Sequence, residues 1–278
     1  MERNKLLNVF DNNKSSKPTG IVAFSRIPSF DPVERVDRLE IVKTQPIKYK
    51  GTIVKFERPI LSYVDQKVFH TLLKTGKFIR ETDDGFVFEY DFAEVKRVAG
   101  LNRSLNWNKF KESLNRIKYI SLEIFRETNN EKITTITFVI TKFDIVEKKD
   151  RSYLRFYVTF SKEFIYLIKK SDLFNVPLST LIELNSIKNP IVYRILTFFI
   201  TQTKKQSWEL FSLLERLTVI KFDTRKKRHK VLSSIEENKD VLEKYGITPV
   251  ELKEKRRKTF ILNFHKPHNL KLEIAKHC

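Results

Sequence analysis

The 278-residue sequence contains one cysteine, Cys278, and six glycines, and both shortages exclude classes of function. A single cysteine can form neither an internal disulfide nor a thiolate metal cluster, which is typical of proteins in a reducing cytoplasm. Six glycines leave little for a glycine-rich nucleotide-binding loop. The sequence also lacks apolar runs long enough for a signal peptide or a membrane span, so we expect a soluble, cytoplasmic protein without membrane contact.

Residue patterns typical of enzymes are scarce as well. His265 and His268 have no Cys or His cluster nearby that would complete a metal site. The stretch TGKF at 75–78 has the Gly-Lys of a phosphate loop without its upstream glycine or its following Ser or Thr. The adjacent acids Asp83 and Asp84 are more typical of solvated charge than of an acid and base pair. We therefore predict no enzymatic activity, no metal and no cofactor.

Acidic residues are few relative to basic ones. The formal net charge is +20, from 54 Lys and Arg against 34 Asp and Glu. The excess is +2 over residues 1–45, +8 over 46–172 and +10 over 173–278. Because both larger segments are basic in their own right, the charge indicates a polyanionic partner or an unusually basic surface.

Turn-forming residues predict that the first 45 residues are an arm or linker. The stretch DNNKSSKPTG is polar, and Pro28, Pro32 and Pro46 interrupt any long helix. Beyond this arm the apolar residues become periodic. We predict a flexible N-terminal arm over 1–45, one domain over 46–172 and a second over 173–278.

The first domain contains two predicted helices joined by a short turn, in VFEYDFAEVKRVAGLNRSLNWNKFKESLNRIKYI. Val95 and Val98 give the first helix an apolar face, and Gly100 is placed to end it. The second begins near Trp107, and its outer face is polar and basic. Its candidate DNA contacts are Arg103, Asn108, Lys109, Lys111, Asn115 and Arg116. Predicted strands follow in SLEIFRE, ITTITFVITKFDIVE and SYLRFYVTF, so the order is that of a winged helix, with another small α+β domain as the alternative.

The second half repeats this plan at low similarity. The first helix, YVDQKVFHTLLK, corresponds to NPIVYRILTFFIT, which suits a core better than a dimer face. The helix of YDFAEVKRVAGL corresponds to SWELFSLLERLTV, with Ser207 as its predicted N-cap. A second wing is predicted from RRKTFILNF and LKLEIA, joined by HKPHN, which places Lys266 at the hairpin tip as a further DNA contact.

The most basic stretch is RKKRHK at 225–230, which corresponds to the front of the first domain's second helix. The following residues recur near helical spacing and would anchor it on a core. Its candidate DNA contacts are Arg225, Lys226, Lys227, Arg228 and Lys230. Arg225 and Arg228 are three residues apart and are candidates for guanine contacts, although contact with phosphate alone explains them equally well. A solvated surface run is the alternative.

Several stretches together carry a resemblance to a known family: FEYDFAEVKRVAGLNRSLNWNKFKESLNRIKYISLEI, YVTFSKEFIYLI, NPIVYRILTFF, and WELFSLLERLTV followed by TRKKRHKVLSSIEE. Over roughly residues 46–245 the chain resembles the iteron-binding plasmid replication initiators of the RepE, RepA and TrfA types. The resemblance implies an α+β protein of two tandem winged-helix domains that binds double-stranded DNA at direct repeats of a plasmid origin. It further implies opening of AT-rich DNA, recruitment of host helicase or initiator proteins, and a homodimer that represses its own gene.

Other functions are compatible with the same pattern. A transcriptional regulator would use the two winged helices without a role at an origin, and a nucleoid-associated protein would bind DNA without sequence preference. A rolling-circle initiator would need a His-x-His pair beside a nucleophilic Tyr, and His265 and His268 are too far apart for that pair. The N-terminal arm matches no motif of the family.

Overall fold

We describe the protein from a computed structural model. The structure describes residues 20–21, 30–32, 41–43, 47–49, 52–59, 61–101, 106–127, 131–147, 154–170, 173–202, 204–254, 257–267 and 273–275. Over these ranges helices are combined with antiparallel sheets, in agreement with the predicted α+β class. The buried apolar side chains form two clusters, one mainly from each half of the chain.

Both halves contain helices and strands. In the first half they are β1 (Gly20–Ile21), β2 (Ile41–Lys43), β3 (Ile47–Tyr49), β4 (Thr52–Pro59), α1 (Tyr63–Thr75), β5 (Lys77–Thr82), β6 (Gly85–Asp91), α2 (Phe92–Val98), α3 (Trp107–Lys118), β7 (Ser121–Glu127), β8 (Lys132–Phe138), β9 (Ile140–Glu147), β10 (Leu154–Phe160) and α4 (Lys162–Lys170). In the second half they are β11 (Leu173–Asn175), α5 (Leu178–Ser186), α6 (Pro190–Phe199), β12 (Gln206–Glu209), α7 (Leu210–Leu217), α8 (Arg225–Glu237), α9 (Lys239–Lys244), β13 (Ile247–Glu254), β14 (Arg257–Phe264) and β15 (Glu273–Ala275).

The two halves share one order of elements. In the first, α1 precedes β6, α2 and α3, and the hairpin β9–β10 then returns so that β10 pairs with β6. In the second, α6 precedes β12, α7 and α8, and the hairpin β13–β14 returns so that β14 pairs with β12. The first half adds β5 beside β6 and inserts the hairpin β7–β8 after α3, where it joins β2, β3 and β4 in another sheet. The helix correspondences predicted from the sequence therefore match the order of elements.

Caps and spacing explain where the main helices begin and end. Ser62 and Asp65 form a capping box at the start of α1, with the Asp65 N–H donating to Ser62 Oγ over 3.2 Å. Gly100 follows the end of α2 with a φ of +67°, and a Cβ there would lie 2.3 Å from the Asn185 carbonyl oxygen. Only glycine fits this left-handed position against a neighbouring backbone. All of α6 is buried, which confirms that PIVYRILTFF belongs to the core.

Polar side chains join the two halves. The ammonium of Lys67 on α1 donates to the carbonyls of Asn185 and Ile187, at the end of α5, over 2.6 and 2.7 Å. Gln66 Nε2, also on α1, donates to Thr197 Oγ1 on α6 over 3.2 Å. The two Lys67 contacts satisfy carbonyls at the end of α5, where a helix leaves carbonyls without intrahelical partners. The halves therefore meet through specific buried hydrogen bonds as well as apolar packing.

The described part of the predicted arm packs against both halves. Phe30 is 1% exposed and belongs to the first apolar cluster. The Asp31 carboxylate accepts from Arg58 over 3.1 Å and from the Val219 N–H over 3.0 Å. Most of residues 1–45 lies outside the described ranges, but at Phe30 to Pro32 the segment is packed and is no free arm.

The predicted C-terminal wing is wrong. Strand β14 pairs with β13, over Ile247 to Glu254, and β15 pairs instead with β11. Pro249 obscured β13 in the sequence, because proline lacks the N–H of a central strand, and the structure places it on an edge strand where it is tolerated. The hairpin turns between Glu254 and Arg257, so Lys266, which follows β14, does not lie at its tip.

Three smaller boundaries also differ from the prediction. Ser207 lies in β12, and the N-cap of α7 is Glu209, which accepts from the Ser212 N–H over 2.7 Å. The stretch ITTITFVITKFDIVE is two strands in different sheets, separated at Val139. The helix that begins at Arg225 ends before Asn238, and α9 follows as a separate helix.

Candidate nucleic-acid interface

Helix α8 begins where the sequence predicts. Thr224 caps it by accepting a hydrogen bond from the Lys227 N–H over 3.3 Å. Val231 and Ile235 are buried in the second apolar cluster and hold the helix in place. The run Arg225–Lys230, which we call the basic end of α8, consequently occupies the first two turns.

Most side chains of the basic end are exposed. The exposed residues are Arg225, Lys226, Lys227, His229 and Lys230. The sixth, Arg228, is half-buried. The first turn contains no acidic residue. Cations at a helix N-terminus oppose the helix dipole, and like charges three or four residues apart repel each other. The basic end is therefore unfavourable for the isolated helix and favourable for an approaching anion such as phosphate.

Contacts orient two of these cations. The Arg228 guanidinium carbon lies 3.6 Å from the ring centroid of Phe211 on α7, which is a close cation–π contact. Lys227 Nζ donates to the Lys221 carbonyl over 3.1 Å and lies 3.5 Å from Asp223. Arg225 is exposed at the helix start. The two arginines predicted to reach guanine thus differ, since one is exposed and the other lies against α7.

On helix α3, some of the side chains predicted to contact DNA are exposed, and others contact residues of their own domain. Asn106 caps the helix by accepting from the Lys109 N–H over 2.9 Å. Asn108, Lys109 and Asn115 are exposed, whereas the ammonium of Lys111 lies 5.9 Å from the ring centroid of Trp107. This helix therefore presents mainly amides and a few lysines. Arg103 lies outside the described residues.

Arg116 is held by a buried carboxylate. Its Nε and Nη2 donate to the two Asp65 oxygens over 3.0 and 2.9 Å, and Asp65 is wholly buried on α1. Asp65 also accepts from Ser113 Oγ over 2.6 Å. Such bidentate pairs are strong and geometrically specific. Arg116 therefore fastens α3 to α1, and its guanidinium does not point freely toward a partner.

The β13–β14 hairpin is a basic element that sequence reasoning missed. Its tip lies within LKEKRRK at 252–258, a stretch that the sequence pattern assigns only in part to a strand. Lys258 is hydrogen-bonded to Glu236 on α8 and lies 3.2 Å from Glu251 on β13. The only local signal is a short alternation of apolar and charged residues from Val250 to Lys253, which is out of phase with the buried Ile247. The contact of Lys258 positions this hairpin beside α8.

Groups with strongly shifted pKa values lie in packed regions. Burial, with a smaller contribution from the nearby Arg194 charge, lowers the pKa of His70 to about 3. Burial lowers the pKa of Lys67 to about 8. Both side chains are at most 3% exposed, so neither lines an open cleft where a substrate would meet it.

The described ranges contain neither a metal cluster nor a membrane-spanning helix. Within them, no group of three or more His, Cys, Asp or Glu side chains is arranged to hold a metal ion. Among the helices described, none combines the length and apolar character needed to cross a membrane.

The chain matches none of the family models against which it was scanned. A search of curated proteins also found no match.

Proposed function

We propose that this protein binds double-stranded DNA through two tandem winged-helix domains and initiates plasmid replication at repeated origin sequences. The observation that carries the proposal is the exposed basic end of α8 on a helix anchored by Val231 and Ile235. The repeated order of helix, strand, two helices and hairpin supports the winged-helix assignment, because that order places the second helix of each pair beside a hairpin.

The two domains would divide the work of recognition. The basic end of α8 suits a major groove, where arginine reads guanine and lysines contact phosphates. The wing of this domain is the β13–β14 hairpin, which lies beside α8. Helix α3, with exposed Asn108 and Lys109, suits contact with the sugar–phosphate backbone. The proposed complex needs neither a cofactor nor enzymatic activity.

A homodimer is part of the proposal and is supported by the outer face of the first domain. Strand β8 is at the edge of its sheet in the described part of the chain, and Ile136 and Phe138 on it are 71% and 47% exposed. An apolar edge strand is a site where two copies can pair. Recruitment of host helicase or initiator proteins, and a bacterial cytoplasmic location, are supported by the family resemblance alone.

Footprinting on the DNA that flanks the protein's own gene tests the proposal. Protections repeated about every two helical turns, and persisting when salt is raised, would support binding to iterons. A single protected palindrome would point to a transcriptional regulator, and protection that disappears everywhere with salt would point to nonspecific binding. Either of the last two outcomes would overturn the origin function while leaving the fold in place.

A further inference from the structure

A groove runs along α8 on the side that carries Lys227, Lys230, Val231 and Ser234. Its other walls are Pro32, the start of α6 and the connection between α7 and α8, and its volume is about 430 Å³. The floor is mainly apolar and includes Pro190, Ile191, Ile220, Phe222 and Val231. The rim carries three lysines, Lys188, Lys227 and Lys230. We call this site the lysine-rimmed groove.

The chemistry of the groove differs from that of the outer face of α8. No acidic side chain is among its lining residues, and all three lysines are exposed. An apolar floor adds nothing to the binding of a phosphate backbone, which is fully polar. It does suit a large apolar side chain, whose burial gives about 25 cal/mol for each Å² removed from water. A groove of this kind favours a ligand that is both apolar and negatively charged.

The open shape favours a peptide over a small molecule. Small-molecule sites bury most of the ligand surface, whereas this groove is open along α8. Peptides that dock in grooves use an apolar anchor flanked by charges that match the rim. Lys227 and Lys230 lie three residues apart on one side of α8, with Lys188 across the groove at the start of α6. These positions match carboxylates on both sides of one central apolar residue.

We propose that the lysine-rimmed groove binds an acidic segment of a partner protein, which inserts an apolar side chain against Phe222 and Val231. The carboxylates on either side of this anchor pair with Lys188, Lys227 and Lys230. The ammonium of Lys227 already donates to the Lys221 carbonyl and lies 3.5 Å from Asp223 Oδ1, so one of its three donors remains for a carboxylate of the segment.

A consequence is competition with DNA, and this part rests on the proposed function. Lys227 and Lys230 belong both to the groove and to the basic end of α8. A carboxylate and a phosphate cannot occupy the same ammonium positions together without repulsion. An acidic partner segment in the groove therefore displaces DNA from α8, and DNA displaces the segment.

Fluorescence anisotropy of a labelled peptide tests the site on the full chain. The probe is a short peptide of Asp and Glu with one central Phe, and its control has Ser in place of that Phe. We expect the Phe peptide to bind at least about fivefold more tightly, since one buried aromatic contributes more than about 1 kcal/mol. Equal binding of both peptides would show a purely electrostatic attraction and would overturn the proposal.

Variants separate the groove from the DNA face. Lys188→Ala and Phe222→Ala are expected to weaken binding of the Phe peptide about fivefold or more. Lys204→Ala, which removes an exposed lysine outside the groove, is the matched control and is expected to leave it unchanged. If Lys188→Ala and Lys204→Ala act alike on the peptide, the groove is not its site.

The same variants are measured with DNA. Lys188→Ala is expected to change DNA affinity no more than Lys204→Ala does, whereas Lys226→Ala weakens DNA binding and spares the peptide. An effect of Lys188→Ala on DNA as large as that of Lys226→Ala would assign the groove to the DNA interface and overturn the proposal. Failure of the chain to bind any DNA would remove the proposed function and the competition, while the peptide measurements would still decide the groove.

Discussion

Helices α3 and α8 occupy the same place in the repeated order of elements and use their cations in different ways. On α3, Arg116 is bound to Asp65 and Lys111 lies over Trp107. On α8, five of the six residues of the basic end are exposed. The number of cations on a helix therefore does not measure its capacity to bind an anion, because some of those cations hold the helix to its own domain.

The ion pairs that attach the two helices to the rest of the protein also differ in burial. Helix α3 is tied to α1 through the buried Asp65–Arg116 pair, whereas α8 is tied to the β13–β14 hairpin through the exposed Lys258–Glu236 contact. A buried pair leaves an uncompensated charge when one partner is removed, and an exposed pair is replaced by water. The first helix should thus depend on its ion pair far more than the second does.

The largest expected effect follows from removing the carboxylate beneath α3. Asp65→Ala should lower the free energy of unfolding by about 3 to 5 kcal/mol, because it leaves the largely buried Arg116 without its partner. Urea denaturation followed by circular dichroism measures the change. Asp223→Ala, which breaks the exposed pair with Lys227, is the control and should cost less than about 1 kcal/mol. Similar losses of unfolding free energy in both variants would contradict the predicted difference between the buried and the exposed ion pair.

A second prediction concerns the side chains of the two helices that we propose contact DNA. Arg225→Ala with Arg228→Ala should remove sequence-specific binding, because each arginine that reads a guanine contributes about 1 to 3 kcal/mol of discrimination. Lys109→Ala with Lys111→Ala should weaken binding to all DNA alike, because phosphate contacts carry no sequence information. Titrations with specific and random duplexes at fixed salt compare the two. Equal, modest decreases in affinity from both double variants would rule out this division of labour.

The fixed position of Arg116 provides a control for that experiment. Because Asp65 already holds its guanidinium, Arg116→Met should leave the salt dependence of DNA binding unchanged. The variant leaves the buried Asp65 charge unpaired, so the titration is made at a temperature where circular dichroism shows that the variant is still folded. Lys226→Met should reduce the log–log slope by about 0.9, the value for one phosphate contact. A reduced slope for Arg116→Met would instead return this residue to the DNA interface.

A third prediction uses the pH dependence of stability to test the lowered pKa of Lys67 on α1, the helix to which Arg116 ties α3. Burial lowers the pKa of Lys67 to about 8 from an ordinary value of 10.5, so between these values the unfolded chain holds a proton that the folded chain has released. Stability therefore rises with pH in this window, by roughly 2 kcal/mol between about pH 8 and 9.5. Urea denaturation across this range should show the rise in the wild type and its absence in Lys67→Met.

Buried tyrosines set the upper limit of the pH range in which the effect of Lys67 can be measured. Burial raises the pKa of Tyr90 and of Tyr193, so above about pH 10 the unfolded chain releases protons that the folded chain keeps, and stability falls. A wild-type stability that is flat or falling between pH 8 and 9.5 would contradict the assignment of a lowered pKa to Lys67.

The smallest effect is expected at the exposed fastening of α8. Lys258→Met should lower the free energy of unfolding by less than about 1 kcal/mol, because exposed ion pairs contribute little. The same variant should change DNA affinity by only a small factor, provided that the hairpin keeps its position. Thermal unfolding gives the first quantity and anisotropy the second. A destabilisation as large as that of Asp65→Ala would mean that this ion pair is an essential part of the domain.

Local signals predicted the helices well. Ser62 before α1, Gly100 after α2 and Pro190 in the first turn of α6 mark helix ends through their own backbone and side-chain chemistry. The basic end of α8 was predicted for the same reason, since apolar residues after it recur at helical spacing. These features depend on neighbours in sequence, which is why the sequence alone was enough.

Features that depend on distant residues were not predicted. Asp65 and Arg116 are 51 residues apart, so no local pattern shows that this arginine is held. Strand β13 was hidden by Pro249, and the pairing of β15 with β11 across the second half was decided by packing. The groove beside α8 is formed by Pro32, the start of α6 and the chain from Ile220 to Ser234, which are far apart in sequence. Two of its lysines, Lys227 and Lys230, were interpreted in the sequence only as part of the basic run.

Helix α2 affects how the protein unfolds, because it contributes a buried side chain to each of the two apolar clusters. Within its seven residues, Val95 is buried in the first apolar cluster and Val98 in the second. Neither half can lose its packing without removing support from this shared helix, and the Lys67 hydrogen bonds cross the same boundary. Despite two cores, the chain should therefore melt as one cooperative unit, with calorimetric and van't Hoff enthalpies that agree.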